Sequence, residues 1–394
     1  MNTDTEPRLG YNEAHTMLRR LAVALSSQEL ARYNRHLKLN GFGLEAQQRL
    51  KATSVLLIGA GGLGCPIGMY LAAAGVGKIG VVDYDTIEVT NLQRQIAHKS
   101  ADQGLPKADS LIAAMKALNP LPEYVPHHLR LAEDNIRRLI SGYDLIIDGT
   151  DNYPTRYLVA DTCFLENKPL VYGAIHQFDA QLSLFVPNDG PCYRCLFPSP
   201  PDPESTPSCS EAGVLGVLPG TVGVMMATEA IKFITGVGQT LQGKLALYNA
   251  LDQTLRHIGL GPDPSCPLCG ENPTITEPEE IQFACEVLEP VPRVSLQKAK
   301  TMIEAGAAIL DVRDDLEWQT CHLEGAVHLP LPQLEAGKMS RFNPKQPMVV
   351  YCYTGIRSQK AVARLQEWGF EESVSMDGGI KGWALEIDPE MVRY

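Results

Sequence analysis

Four of the ten cysteines stand in two matched spacings, Cys192-Tyr193-Arg194-Cys195 and Cys266-Pro267-Leu268-Cys269. Each knuckle offers two thiolates from one tight turn, and two knuckles supply the four sulfur ligands of a tetrahedral Zn2+. No fifth ligand or neighbouring histidine pattern opens the site, so the expected zinc is structural. Cys352 stands in a different setting. It follows the buried-strand run Val349-Val350-Tyr351 and precedes a helical stretch from Gln359 to Trp368. A cysteine at a strand-to-helix turn faces backbone N–H groups at a helix N-terminus, a field that stabilises a thiolate or persulfide. Arg357 adds positive charge on the same loop. Cys209 sits alone in Pro207-Ser208-Cys209-Ser210-Glu211, whose polar, proline-bearing flanks indicate an exposed loop.

A second kind of chemistry is written in glycine. Gly59-Ala60-Gly61-Gly62-Leu63-Gly64 follows a strand and opens a helix. Such a turn lets phosphates meet the helix N-terminus, and Asp83, about 20 residues on, can hold ribose hydroxyls. By itself this fits a dinucleotide-binding dehydrogenase at least as well as anything else. The residues that follow do not look like a dehydrogenase. Asn91-Leu92-Gln93-Arg94-Gln95, then Lys107, then Asp148-Gly149-Thr150-Asp151-Asn152 lie where Arg94 and Lys107 can neutralise a triphosphate and Asp151 can hold Mg2+.

The elements that position these groups alternate. Ser54–Ile58 is a short apolar run, Ile67–Ala74 reads as a helix, and Ile79–Val82 and Leu145–Ile147 read as further strands. This order predicts an α/β domain with a parallel, doubly wound sheet. Residues 12–50 read as helices, from the spacing of Leu18, Leu21 and Leu25 and a capping box at Ser26–Glu29. Residues 271–292 are rich in glutamate and proline without Lys or Arg, which predicts an extended linker. From 293, βα signals restart at Ala308–Val312, Met348–Tyr351 and Ser373–Met376. The expected division is 1–270, a linker at 271–292 and a smaller α/β domain at 293–394.

Composition excludes several classes. The 394 residues carry a net charge of −12, which argues against a partner held through nucleic-acid phosphates or an anionic membrane. The uncharged stretch Ala52–Gly77 contains seven glycines and Pro66, and reads as buried strand, turn and helix, not a membrane span. No export segment precedes the fold, so a cytoplasmic setting is expected. Reduced thiols there favour metal or catalytic roles over disulfides.

Taken together, the glycine turn, Asp83-Tyr84-Asp85, Asn91-Leu92-Gln93-Arg94-Gln95, Lys107 and Asp148–Asn152 resemble the E1-like adenylyltransferases that activate ubiquitin-like sulfur carriers, over about residues 28–270. The resemblance implies a Rossmann-like adenylation domain binding ATP through Gly59, Gly61, Gly62 and Gly64. Asp83 would hold the ribose, and Asn91, Arg94 and Lys107 the phosphates. Asp151, with Asn152 beside it, would sit on Mg2+. It further implies zinc at Cys192, Cys195, Cys266 and Cys269, and an Arg35 that reaches a partner's ATP across a homodimer. Cys209 resembles the cysteine that attacks the activated carrier or resolves its persulfide.

The C-terminal loop resembles that of rhodanese sulfurtransferases over about 293–390. Four residues separate Cys352 from Arg357, one fewer than in a tyrosine-phosphatase cradle. Asp311-Val312-Arg313, His322–Ala326 and Asp377-Gly378-Gly379 match further landmarks, with Asp311, Arg313 and His322 read as structural. By resemblance, Cys352 carries sulfur as a persulfide. The joined resemblances imply ATP-dependent adenylation of a Gly-Gly-ended, ubiquitin-like carrier. Sulfur transfer from Cys352 follows, with a cysteine desulfurase or thiosulfate as donor. The carriers of molybdenum cofactor, thiamin, cysteine and tRNA thiolation pathways are of this kind. The alternatives are an NAD(P)-dependent oxidoreductase, or a thioester relay through Cys209 as in ubiquitin activation.

Overall fold

β1 (Ser54–Ile58) is the run Ser-Val-Leu-Leu-Ile, and its last four residues are buried. A strand apolar on both faces must be covered on both, which is the demand of a central parallel strand. The computed structural model describes residues 23–200, 213–281, 291–337 and 342–392. The chain divides into two compact units, Met1–Phe283 and Ala284–Tyr394.

In the first unit β1 is joined by β2 (Lys78–Val82), β3 (Glu123–His127), β4 (Leu145–Asp148), β5 (Leu170–His176), β6 (Asp179–Phe185), β7 (Lys244–Asn249) and β8 (Thr254–Gly259). They form one sheet in the order β3-β2-β1-β4-β5-β6-β7-β8. β1 to β5 are parallel, whereas β6, β7 and β8 run antiparallel to their neighbours. The sheet is therefore mixed, not parallel throughout as the first strands predict. Helices Gly64–Ala74, Lys107–Leu118 and Leu218–Thr235 close one face, and Ile136–Ser141 and Tyr153–Leu165 the other, so the fold is doubly wound.

The capping box is present: Ser26 accepts from the Glu29 N–H, and Glu29 accepts from the Ser26 N–H. Ser26 is extended, so the helix starts at Ser27, and Leu25 lies before it, contrary to the helical spacing read for that leucine. Leu18 and Leu21 lie outside the described residues. Registers Ile58↔Val82 and Ile58↔Asp148 align the carboxyl ends of β1, β2 and β4. Strand order reverses between β1 and β4, the crevice where open α/β sheets bind ligands.

The second unit holds β9 (Arg293–Val294), β10 (Ala308–Asp311), β11 (Val327–His328), β12 (Met348–Tyr351) and β13 (Ser373–Met376). Their order is β11-β10-β12-β13-β9, all parallel. Helices Leu296–Glu304 and Gly379–Glu386 pack on one face, and Leu331–Glu335 and Ile356–Glu367 on the other. Residues 271–281 form neither helix nor strand and belong to the first unit, where the Glu280 N–H donates to Glu133 at 2.6 Å and Ile281 packs on the core, while 282–290 of the expected linker lie outside the described residues. No helix among the described residues is long and apolar enough to cross a membrane.

Candidate active sites

The glycine turn is built by close backbone approach. Gly59 has φ +92°, and a Cβ there would stand 2.9 Å from the Gly149 carbonyl oxygen. A Cβ on Gly64 would overlap the Gly59 carbonyl oxygen, which lets the helix Gly64–Ala74 start tight against β1. Asp83, at the end of β2, accepts from the Ala60 N–H at 2.8 Å and the Asp85 N–H at 2.8 Å. Burial raises its carboxyl above the usual range, opposed by those two N–H groups. His98 braces the turn from below. Its Nε2 lies 2.9 Å from the Ala60 oxygen and its Nδ1 3.0 Å from Ser110 Oγ. A carbonyl accepts only, so Nε2 carries the proton.

A cavity of about 660 Å3 opens at this edge. Gly59, Gly61, Gly62, Asp83, Arg94, Lys107, Asp151 and Asn152 all line it. The Lys107 Nζ is 2.9 Å from Asp85 Oδ2, and the Arg94 guanidinium donates to the Thr90 carbonyl at 3.0 Å. Asn152 caps the helix Tyr153–Leu165, accepting from the Thr155 N–H at 3.0 Å. Three expected residues are placed elsewhere. Gly64 shapes the turn from behind the cavity lining. Asn91 accepts from the Glu88 N–H at 3.1 Å and does not line the cavity. Arg35 is exposed on the helix Asn34–Leu37, outside the cavity of its own chain. Cys209 lies outside the described residues.

Sequence reasoning missed His98 and Arg156. Arg156 is buried, with its Nε 3.3 Å from Asp148 and its Nη2 donating to the Thr150 carbonyl at 2.6 Å. It ties the end of β4 to the next helix and so fixes the Gly149–Asn152 rim. The only sequence signal was an arginine just ahead of the apolar run Tyr157-Leu158-Val159-Ala160. His98 had none.

The four knuckle cysteines converge. Their Sγ atoms lie within 4.8 Å of one another, with Cys192–Cys266 at 3.5 Å, Cys195–Cys269 at 3.2 Å and Cys192–Cys195 at 3.8 Å. A tetrahedron with metal–sulfur bonds of about 2.3 Å has edges of about 3.8 Å, so the donor set fits Zn2+. Burial and the neighbouring thiols push the Cys269 thiol up to about 12, and Cys192 higher still, whereas N–H donors hold Cys266 below its ordinary value against its own burial. Arg194, inside the first knuckle, grips Asp161 through Nε at 2.8 Å and Nη2 at 2.7 Å, fixing the knuckle to the helix Tyr153–Leu165.

In the second unit Cys352 ends β12 and is 1% exposed. Its Sγ accepts the Gly355 N–H at 3.1 Å, directly before the helix Ile356–Glu367. The final helix donates the Ile380 N–H to the Cys352 carbonyl at 2.9 Å and the Lys381 N–H to the Tyr353 carbonyl at 3.1 Å. The loop is thus held from both sides. Arg357 makes a two-pronged pair with Glu317 at 2.7 and 2.8 Å, a partner the sequence did not reveal. Arg313 is fully buried against Asp311, and His322 stacks on Trp318 at 3.8 Å.

Comparison with known proteins matches each of the two units to a family. Residues 33–268 match the ThiF family and residues 295–386 the rhodanese-like domain. The chain is 43% identical over 387 residues to a protein named probable adenylyltransferase/sulfurtransferase MoeZ from Mycobacterium tuberculosis, covering 95% of this chain and 97% of that one. It is 39% identical to the adenylyltransferase and sulfurtransferase MOCS3 of Bos taurus, covering 94% and 89%. Among solved structures, E. coli MccB with MccA-N7isoASN aligns at a TM-score of 0.56 and 23% identity, over 63% of this chain and 76% of that one, a likeness of fold. The dehydrogenase reading that the glycine turn alone allowed is set aside. The chain belongs to the ThiF family, in the form that continues into a C-terminal rhodanese-like domain and is named adenylyltransferase/sulfurtransferase.

Proposed function

We propose that this enzyme adenylates the C-terminal glycine of a ubiquitin-like sulfur carrier and then converts it to a thiocarboxylate with sulfur from Cys352. The observation that carries the reading is that one chain pairs a nucleotide-sized crevice presenting Arg94 and Lys107 beside the glycine turn with a buried cysteine at a helix N-terminus. The carrier carboxylate attacks the α-phosphorus of ATP, the bond to the β-phosphate oxygen breaks, and pyrophosphate leaves. Arg94 and Lys107 stabilise the charge that gathers on the phosphates, and Lys107 must exchange Asp85 for them. Asp151 would hold Mg2+, which supplies further neutralisation of the phosphates. Gly59, Gly61 and Gly62 admit the nucleotide to the backbone, and Asp83 orders the turn and faces the ribose. Arg35 acts on the ATP of a second copy, which makes a homodimer the working unit.

In the second stage the terminal sulfur of the Cys352 persulfide attacks the acyl carbon and AMP leaves. A thiol then cleaves the resulting acyl disulfide and frees the thiocarboxylate, leaving a disulfide for an external thiol to reduce. Cys209 is the candidate within the chain. The Cys192, Cys195, Cys266 and Cys269 set would hold Zn2+ as a brace. The segment 271–292 must let Cys352 approach the adenylate, and a coil of that length spans about 25 Å.

The test incubates the protein with ATP, a Gly-Gly-ended carrier and thiosulfate, and weighs the carrier. Replacement of one oxygen by sulfur supports the reading. Absence of ATP–pyrophosphate exchange with every such carrier overturns it. Cys352→Ala is expected to keep the exchange and lose sulfur transfer.

A further inference from the structure

Arg357 is the one charged side chain between Cys352 and Arg357 in the loop. A small anionic sulfur donor would look to that guanidinium for its counter-charge. The guanidinium already faces a carboxylate. Nη1 lies 2.7 Å from one Glu317 oxygen and Nη2 2.8 Å from the other, with the side chains only 26% and 14% exposed. Glu317 is also fixed by its own helix, because it accepts the Asp314 N–H at 3.1 Å in a capping box. Its place is set by the helix Asp315–Thr320 as much as by Arg357. The pair is neutral as a unit. What remains at the sulfur is the partial positive charge of the helix N-terminus, delivered through the Gly355 N–H.

Charge balance then separates the donors. With thiosulfate, the Cys352 thiolate attacks the outer sulfur, the S–S bond breaks and sulfite leaves. A monoanion and a dianion meet, so three negative charges crowd the loop. With a thiol persulfide reacting as its neutral form, RS–SH, the same attack breaks the same kind of bond and RS− leaves, with one negative charge at the reacting atoms. Neither route needs an oxidant or a reductant. A helix N-terminus suffices for one charge and is overmatched by three.

We infer that Glu317 determines donor specificity: by occupying Arg357 it disfavours small dianionic donors and turns the Cys352 loop toward persulfides carried on thiols. This rests on the sulfur-loading role of Cys352. Glu317 acts through Arg357 and is a positioning residue.

The experiment uses the full chain and two donors, thiosulfate and the persulfide of 2-mercaptoethanol, whose thiol bears no other charge. Cys352 loading is followed by intact mass, and turnover with cyanide as acceptor. Glu317→Gln keeps an oxygen for the Asp314 N–H and removes the carboxylate charge that faces Arg357. Its thiosulfate KM should fall about tenfold or more, changing the thiosulfate-to-persulfide selectivity by that factor. Glu317→Asp keeps the charge and should keep the wild-type preference. Thr354→Lys adds a cation at an exposed loop position without touching Glu317, and should also raise thiosulfate use selectively. An unchanged selectivity in Glu317→Gln and Thr354→Lys overturns the inference, as does an equal change for both donors. If neither donor loads wild-type Cys352, the sulfur-loading reading falls and this one with it. If both load and the ratio stays fixed, only the role of Glu317 falls.

Discussion

His98 links the nucleotide site to pH. Burial holds its imidazole below the usual 6.5, against the opposing pull of the Ala60 carbonyl. The fold therefore favours the neutral ring. Its contribution is complete above the ordinary histidine value near 6.5 and is lost as pH falls through that value toward the depressed one. Because the ring supports Ala60 in the glycine turn, nucleotide binding should weaken over the same window. The thermal shift given by ATP is expected to shrink as pH falls below the ordinary histidine value of 6.5, and His98→Gln should flatten that acid limb. A shift that is constant with pH in the wild type would show that the ring does not brace the turn. At this scale the sequence was legible where one residue type does a local job, as with Cys352 before its helix. It was silent on His98, whose partner lies 38 positions away, and on Glu317, 40 positions from Arg357. Such pairings exist only once the strands are assembled.

The elements add two cross-ties that local pattern cannot show. Arg156 and Asp148 are both buried, and removing one partner of a buried pair leaves the other charge uncompensated. Arg156→Met is expected to cost about 3–5 kcal/mol, read by denaturant unfolding, and to blur the Gly149–Asn152 rim. The knuckles tie residues 192–195 to 266–269 across 74 positions. Cys266→Ser should release about one zinc per chain by elemental analysis. It should also lower the melting midpoint by about 2–4 °C for each kcal/mol lost. Full thermal stability without bound metal would remove the brace from the account. Of the strands, β1, β2, β4, β10 and β12 were readable because each is a compact, mostly apolar run bounded by turns, and β13, Ser-Val-Ser-Met, from its place in the renewed βα alternation. β8 was not. All six of its residues are exposed, so the sequence Thr-Leu-Arg-His-Ile-Gly carries no burial pattern to read. β6 and β7 extend the sheet by antiparallel pairing, which a run of βα signals does not announce.

For the whole molecule, the decisive question is whether one copy completes another. Arg35 lies outside the cavity of its own chain, while Lys107 lines it. If Arg35 serves a partner, Arg35→Ala and Lys107→Ala chains are each inactive alone. A mixed dimer then regains one site, in the Arg35→Ala chain, which keeps its own Lys107 and receives the partner's arginine. Equal mixing gives half mixed dimers with one good site of two, so exchange activity should return to about one quarter of wild type. No recovery in mixtures that have demonstrably exchanged subunits would place Arg35 outside catalysis.

The near-complete cover over Cys352 has a consequence for the lifetime of its cargo. A persulfide is a soft, easily oxidised group, and peroxide or molecular oxygen attacks it at a rate set by collision. With 1% of the cysteine open to water, Sγ itself meets few such collisions, and only the outer sulfur has to stay open to donor and adenylate. On the proposed role of Cys352, the loop, clamped by backbone bonds from the final helix, would store sulfur as well as transfer it. Sulfur loaded there can wait for an adenylate to be made, and supply and demand need not coincide in time.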